Sequence, residues 1–227
     1  MGRTSISTSL DSLFDEWIET YPATFRSDFH RDGIVDPVCY AKEPRRLLYV
    51  LAEPNSRGGR YDRYRGWDLR VVFGREALGK AIDLNLARWT RMALDGVTRG
   101  PDLTGKSAAV FLRRVAIMNL KKLPGSGVAD REAIAIHAWR DREFIRREIQ
   151  LIEPDIVITC GETLTKLLVR ILADDAVTPS PSIPEEWGGF EVLRAFHPSH
   201  RPRHAPAALK LLAAGLARMS RPSRRRC

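Results

Sequence analysis

The sequence predicts an α/β fold: one domain on a central, mostly parallel four-stranded sheet, flanked by helices on both faces in a three-layer α/β/α arrangement. Three observations predict it. Short, mostly apolar runs recur at 46–51, 115–118, 155–160 and 190–196, as expected for strands buried on both faces. Longer segments with helical periodicity separate them. The chain has 227 residues, 44% of them hydrophobic, enough for one compact domain with a substantial core. The domain is expected to span 1–219, followed by a basic tail, 220–227, expected to be disordered. No internal repeat is evident.

The elements follow in order. Leu10 to Thr20 places Leu10, Leu13, Phe14, Trp17 and Ile18 on one helical face, and Pro22 stops that helix. Residues 21–43 hold Pro22, Gly33 and Pro37 and read as irregular chain over the sheet edge. Arg46 to Leu51 is the first strand, bounded by Pro44 and Pro54. A basic, aromatic segment continues to Phe73, with Arg57, Arg60, Tyr61, Arg63, Tyr64, Arg65, Trp67 and Arg70. Arginine interleaved with aromatics suits phosphates and unstacked bases, and equally a lid packed by its own rings. Glu76 to Leu94 is helix-like and 96–106 is a break. Val110 to Leu112 leads into the second strand, Val115 to Met118, which ends at Asn119. A loop with Lys121, Lys122 and two glycines follows, and Asp130 is placed to N-cap a helix running to about Ile152. Asp155 to Cys160 is the third strand, Gly161 its turn, and Glu162 to Leu172 a helix. Phe190 to Phe196 is the fourth strand, followed by a proline-stiffened loop with His197, Ser199, His200, Arg201 and His204 and a helix over 205–217.

Composition narrows the function. The formal net charge is +9 and the sequence pI about 9.9. The cations are mostly arginine, whose planar fork suits phosphate, so a polyanion, nucleic acid first, is the expected partner. The alternative is a basic surface with no such partner. Cys39, Cys160 and Cys227 are widely spaced and cannot supply four ligands to zinc or an iron–sulfur cluster. No apolar run has the length of a membrane span and the start has no apolar signal core, so a cytoplasmic protein without membrane contact is expected. His197, His200 and His204 invite a metal reading, but Pro198 and Pro202 break any shared helical face and the arginines beside them repel a cation. No metal and no cofactor are expected. Gly58-Gly59 lacks the Gly-Lys-Ser/Thr that would make a phosphate loop.

Three loops, after Leu51, after Met118 and after Phe196, leave carboxyl ends of strands, so in a parallel sheet they line one rim. At these residues the chain resembles the uracil-DNA glycosylase superfamily. Leu51-Ala52-Glu53-Pro54-Asn55 sits where the family has its strand-end box, Gly-Gln-Asp-Pro-Tyr in the classical class. Ala116-Ile117-Met118-Asn119 matches the strand ending in a base-reading Asn, and His197-Pro198-Ser199 the His-Pro-Ser box. Val72-Phe73-Gly74-Arg75 is similar to the segment bearing a stacking Phe, and 154–161 to the family's late strand and turn. The likeness covers roughly residues 46–218, and its strength is the order of the blocks.

The resemblance implies a monofunctional enzyme, expected to act as a monomer: a glycosylase that flips uracil from single- or double-stranded DNA and hydrolyses its N-glycosidic bond. Free uracil and an abasic site would be the products, initiating base excision repair. It implies Glu53 and His197 as catalytic residues, the first stabilising positive charge on the sugar and orienting water, the second donating to the departing base. Ala52, Asn55, Phe73 and Asn119 would bind the base, Asn119 through its Watson–Crick edge and Phe73 by stacking. Ser56, Arg57, Ser199, His200 and Arg201 would hold DNA. Leu51 stands where the family has Gly, and Asn55 where the classical class has the Tyr that excludes thymine. These departures leave uracil first, with a deaminated purine or modified uracil behind it. They also motivate the alternative, a protein on the same fold that binds or covalently traps damaged or single-stranded DNA without turnover. Read from the residues alone, Glu53 also suits a strand-end cap or salt bridge, Asn119 a turn, and Phe73 the core.

Overall fold

The computed structural model describes residues 3–54, 66–75, 81–97, 102–125, 128–173, 190–195, 197–198 and 214. Its elements are α1 (Arg3–Glu19), α2 (Ala23–Arg26), β1 (Gly33–Ile34), α3 (Pro37–Tyr40), β2 (Leu47–Leu51), α4 (Leu69–Arg75), α5 (Ala81–Asp95), α6 (Gly105–Leu112), β3 (Ala116–Asn119), α7 (Arg131–Arg140), α8 (Arg142–Ile152), β4 (Ile156–Cys160), α9 (Glu162–Ala173) and β5 (Glu191–Ala195). The fold is α/β, as the sequence predicts, on a mostly parallel sheet.

Among the described residues that sheet has five strands rather than four, in the order β1-β3-β2-β4-β5. The addition is β1, antiparallel to β3 with Gly33 opposite Ile117, in a segment expected to be irregular. Two residues carry no readable alternation, so only their pairing identifies them as a strand. The other four strands are parallel: Leu51 lies opposite Asn119, Leu47 opposite Ile156, and Cys160 opposite Ala195.

Alternation along the strands divides the core in two. Leu48, Val50, Ala116, Met118 and Val157 face a layer built from α1, α7, α8 and α9, with Phe14, Trp17, Ile145, Ile149 and Leu168. Leu47, Tyr49, Ile117, Ile156 and Ile158 face α4, α5 and α6, with Phe73, Leu86, Trp89 and Leu112. The crossover from β2 to β3 therefore covers one face, and those from β3 to β4 and β4 to β5 cover the other. The change of side falls between β2 and β4, which makes their carboxyl ends the topological switch point. Gly161, at φ +137°, turns the chain there into α9, in a region of backbone space that suits glycine.

Several boundaries differ from expectation. The helix expected from Asp130 to Ile152 is two helices. Asp130 does cap the first, accepting from the N–H groups of Glu132 and Ala133. The break is at Asp141, which is buried and accepts a 2.5 Å hydrogen bond from the Tyr21 hydroxyl, 120 residues away in sequence. Residues 69–75 are helical at the end of the basic, aromatic segment, and residues 105–112 are helical where the end of a break, 96–106, and the lead into the second strand, 110–112, were expected. The expected helix 205–217 lies outside the described residues except Ala214, which is helical, and the tail 220–227 lies outside them altogether. No helix among the described residues is long and apolar enough to cross a membrane.

Candidate active site

The loops after β2 and β3 are joined along their length. Leu120 N–H donates to Leu51 O at 3.0 Å, Lys121 N–H to Ala52 O at 3.0 Å, and Gly125 N–H to Pro54 O at 2.8 Å. Parallel pairing thus continues past the strands and brings Ala52, Glu53 and Asn119 to one place on the rim, beside the switch point.

Glu53 is held by two contacts. Its Oε2 accepts from Lys121 Nζ at 2.5 Å, and the two side chains are only 7% and 9% exposed. Lys121 Nζ also donates to Pro124 O at 3.2 Å. The carboxylate lies directly over Gly125: a Cβ added there would stand 2.0 Å from Oε1 and 2.6 Å from Oε2. Only a glycine leaves room for Glu53 in this pose. His137 of α7 is close enough to feel both charges, and it stacks on Tyr21 with ring centroids 6.3 Å apart. Burial, then Arg140 and Lys121, lowers its imidazole below the ordinary 6.5. Its buried Nδ1 has no partner among the described residues.

Asn119 is buried, and its surroundings are ionic. Asp32 Oδ2 accepts from both Asn119 N–H at 2.7 Å and Asn119 Nδ2 at 3.2 Å. Asp32 Oδ1 accepts from Lys122 Nζ at 2.5 Å, and Lys122 Nζ also donates to Glu148 Oε2 at 2.7 Å. The side chains of Lys122, Asp32 and Glu148 are fully buried. Burial alone would lower the Lys122 ammonium, but Asp32 and Glu148 reverse this and leave it raised. Burial pushes the Glu148 carboxyl well above the ordinary carboxylate range. The Lys122 ammonium also lies over the rings of Trp17 and Phe14, 5.0 and 5.5 Å from their centroids. Beside it, His30 N–H donates to Lys122 O at 3.0 Å and the His30 ring stacks on Trp67. Burial lowers the His30 imidazole to about 4.

His197 follows β5, two strands from β2 on the same rim, which is about 10 Å at the usual interstrand spacing. Its loop is tied to α5 by Asn85 Nδ2, which donates to the buried Pro198 carbonyl at 2.6 Å. Phe73 is not at the rim. Helix α4 starts there, where Leu69 N–H donates to Arg31 O, and runs toward the amino ends of the strands. Gly74 packs near Val35, whose N–H donates to Val115 O at the start of β3. Phe73 is 7% exposed within the core under α4 and α5. Asn55, Ser56, Arg57, Ser199, His200 and Arg201 lie outside the described residues.

The structure therefore joins Ala52, Glu53 and Asn119 and sets His197 on the same rim. Sequence reasoning missed Asp32, Glu148, Asn85 and the role of Gly125. Only Gly125 carried a signal, as one of two glycines beside Pro124 in a rim loop. Among the described residues, no three His, Cys, Asp or Glu side chains group to hold a metal. Compared with protein-family models the chain matches none, and no curated protein matches it.

Proposed function

We propose that this protein is a DNA glycosylase that excises uracil, or a closely related deaminated base, and leaves an abasic site. The observation that carries the reading is that Glu53, just after β2, and Asn119, the last residue of β3, come together beside the switch point of a mostly parallel sheet whose rim also bears His197. Scission of the bond between base and C1′ leaves the electron pair on the base and positive charge on the sugar. Glu53 stabilises that positive charge and orients the water that adds to C1′. His197 donates to the carbonyl oxygen on which the base's negative charge collects. Asn119 pairs with the base edge. Fixed charges and donors of this kind typically supply several kcal/mol of transition-state stabilisation. Phe73 has no part in this reading, since its ring serves the core.

The test is excision from a labelled oligonucleotide carrying one uracil, in single-stranded, U·G and U·A forms, followed by alkali cleavage. Product is expected from the wild type, with a loss of roughly a hundredfold or more in Glu53→Gln, Asn119→Ala and His197→Ala. Unchanged rates in all three would overturn the site. One observation favours binding without turnover: Glu53 is already committed to Lys121 and closed over by Gly125. Salt-sensitive DNA binding with no alkali-labile product on any form would select that reading.

A further inference from the structure

We propose that Asp32 is a positioning residue that fixes the side-chain amide of Asn119 in the one orientation that accepts uracil and rejects cytosine. The inference rests on the glycosylase reading and extends it to a residue with no place in the motifs.

The argument is one of donors and acceptors. A carboxylate in contact with a lysine ammonium can only accept. Asp32 Oδ2 already takes the Asn119 backbone N–H, so the side-chain atom facing it must be the amide nitrogen, as observed at 3.2 Å. Turning the Asn119 amide over would place Oδ1 against the carboxylate, two buried acceptors facing each other with no proton between them. With Nδ2 committed to the Asp32 side, Oδ1 lies on the other side, where none of the described residues donates to it. The amide then offers one remaining N–H and one acceptor, in a fixed order. Uracil, with a carbonyl at position 4 and an N–H at position 3, matches that order. Cytosine, with an amino group at 4 and a bare nitrogen at 3, matches only the reversed amide.

Asp32 is itself fixed from behind. Lys122 holds its other oxygen at 2.5 Å, and the aromatic faces of Phe14 and Trp17 and the side chain of Glu148 hold Lys122. The path runs from the α1 aromatics through Lys122 and Asp32 to the base-reading amide, and every group on it is buried.

The deciding variants are Asp32→Leu/Lys122→Met and Asp32→Asn/Lys122→Met. Both remove the cation together with the carboxylate, so neither leaves a buried ammonium unpaired. The first also removes the acceptor, and the Asn119 side-chain amide is then free to turn over. The second keeps an acceptor in place: the substituted amide turns its oxygen toward the Asn119 backbone N–H and Nδ2, and no ammonium competes for it. Single-turnover excision is measured on matched oligonucleotides carrying one uracil or one cytosine, with folding checked by circular dichroism. In Asp32→Leu/Lys122→Met, uracil excision falls, cytosine excision appears, and the ratio of the two drops by roughly a hundredfold or more. In Asp32→Asn/Lys122→Met the uracil preference is kept, which a merely structural role for the ion pair would not do. If the leucine variant does not fold, Asp32→Ala/Lys122→Met makes the same comparison. An unchanged ratio in the folded variant that lacks the acceptor, with the wild type active on uracil, overturns this inference alone. A wild type that releases no base overturns it together with the glycosylase reading.

Discussion

Gly125→Ala isolates the contact on which the Glu53 pose depends. The added Cβ would stand 2.0 Å from Glu53 Oε1, against at least 3.4 Å for ordinary contact, so the carboxylate must retreat by about 1.4 Å. A retreat of that size opens the 2.5 Å contact with Lys121 Nζ beyond hydrogen-bonding distance. Both side chains are more than nine-tenths buried, so the loss is that of a charged hydrogen bond, roughly 1.5–3 kcal/mol. Replacing glycine in the unfolded chain returns about 0.4–1 kcal/mol, because Gly125 is not at positive φ and alanine fits its backbone. The expected net cost is about 1–2 kcal/mol. The assay is urea unfolding of a double-mutant cycle with Glu53→Ala. In the Glu53→Ala background the Cβ no longer meets the carboxylate, so Gly125→Ala is expected to be neutral or slightly stabilising there. An equal cost in both backgrounds would refute the reasoning.

Other perturbations test other parts. His30 is neutral when folded at any pH above about 4, while the unfolded residue takes up a proton below about 6.5. Stability is therefore expected to fall by up to about 3 kcal/mol as pH drops through that window, at 1.36 kcal/mol per pH unit, and His30→Gln to flatten the fall in urea midpoints. Glu148 has the opposite sign: its folded carboxyl keeps a proton that the unfolded one loses above about 4.5, so its contribution declines as pH rises. Glu148→Gln is accordingly expected to gain on the wild type in melting temperature between acid and alkaline buffer. Asn85→Ala leaves the buried Pro198 carbonyl without its donor and is expected to cost roughly 1–3 kcal/mol in chemical unfolding.

Much of the scaffold was legible because its signals are local. The apolar runs at 46–51, 115–118 and 155–160 became β2, β3 and β4 with ends displaced by about one residue, and Asp130 capped its helix as its position suggested. What was not legible depends on distant partners. The break at Asp141 follows from Tyr21, and nothing within 130–152 announces it. The short helix 69–75 lies in a stretch whose arginines and aromatics read equally as a lid. The same division holds at the site. Glu53 and Asn119 were singled out because each falls at the carboxyl end of a recognisable strand, in a block that resembles a known family's motif. Asp32 and Glu148 were not, because they lie 90 and 26 residues from the lysine that unites them, and a lysine reads as solvent-facing until its partners are known.

The buried ionic cluster needs a reason beyond stability. Three ionisable side chains removed from water are costly, and well-packed apolar residues of similar volume often serve a fold as well or better. Here the cluster does not sit at random in the core. It ends on Asn119, at the carboxyl end of a strand adjacent to the switch point, and it contributes an acceptor in a fixed position. An apolar replacement would preserve the volume but would leave both the Asn119 backbone N–H and its amide undirected. A second pair, Glu53 with Lys121, lies on the neighbouring loop and is fixed by a glycine instead of by aromatics. The two devices differ in construction yet have the same effect. Each removes freedom from one polar side chain on the rim before any ligand arrives, which is the condition under which a few polar groups discriminate between similar ligands.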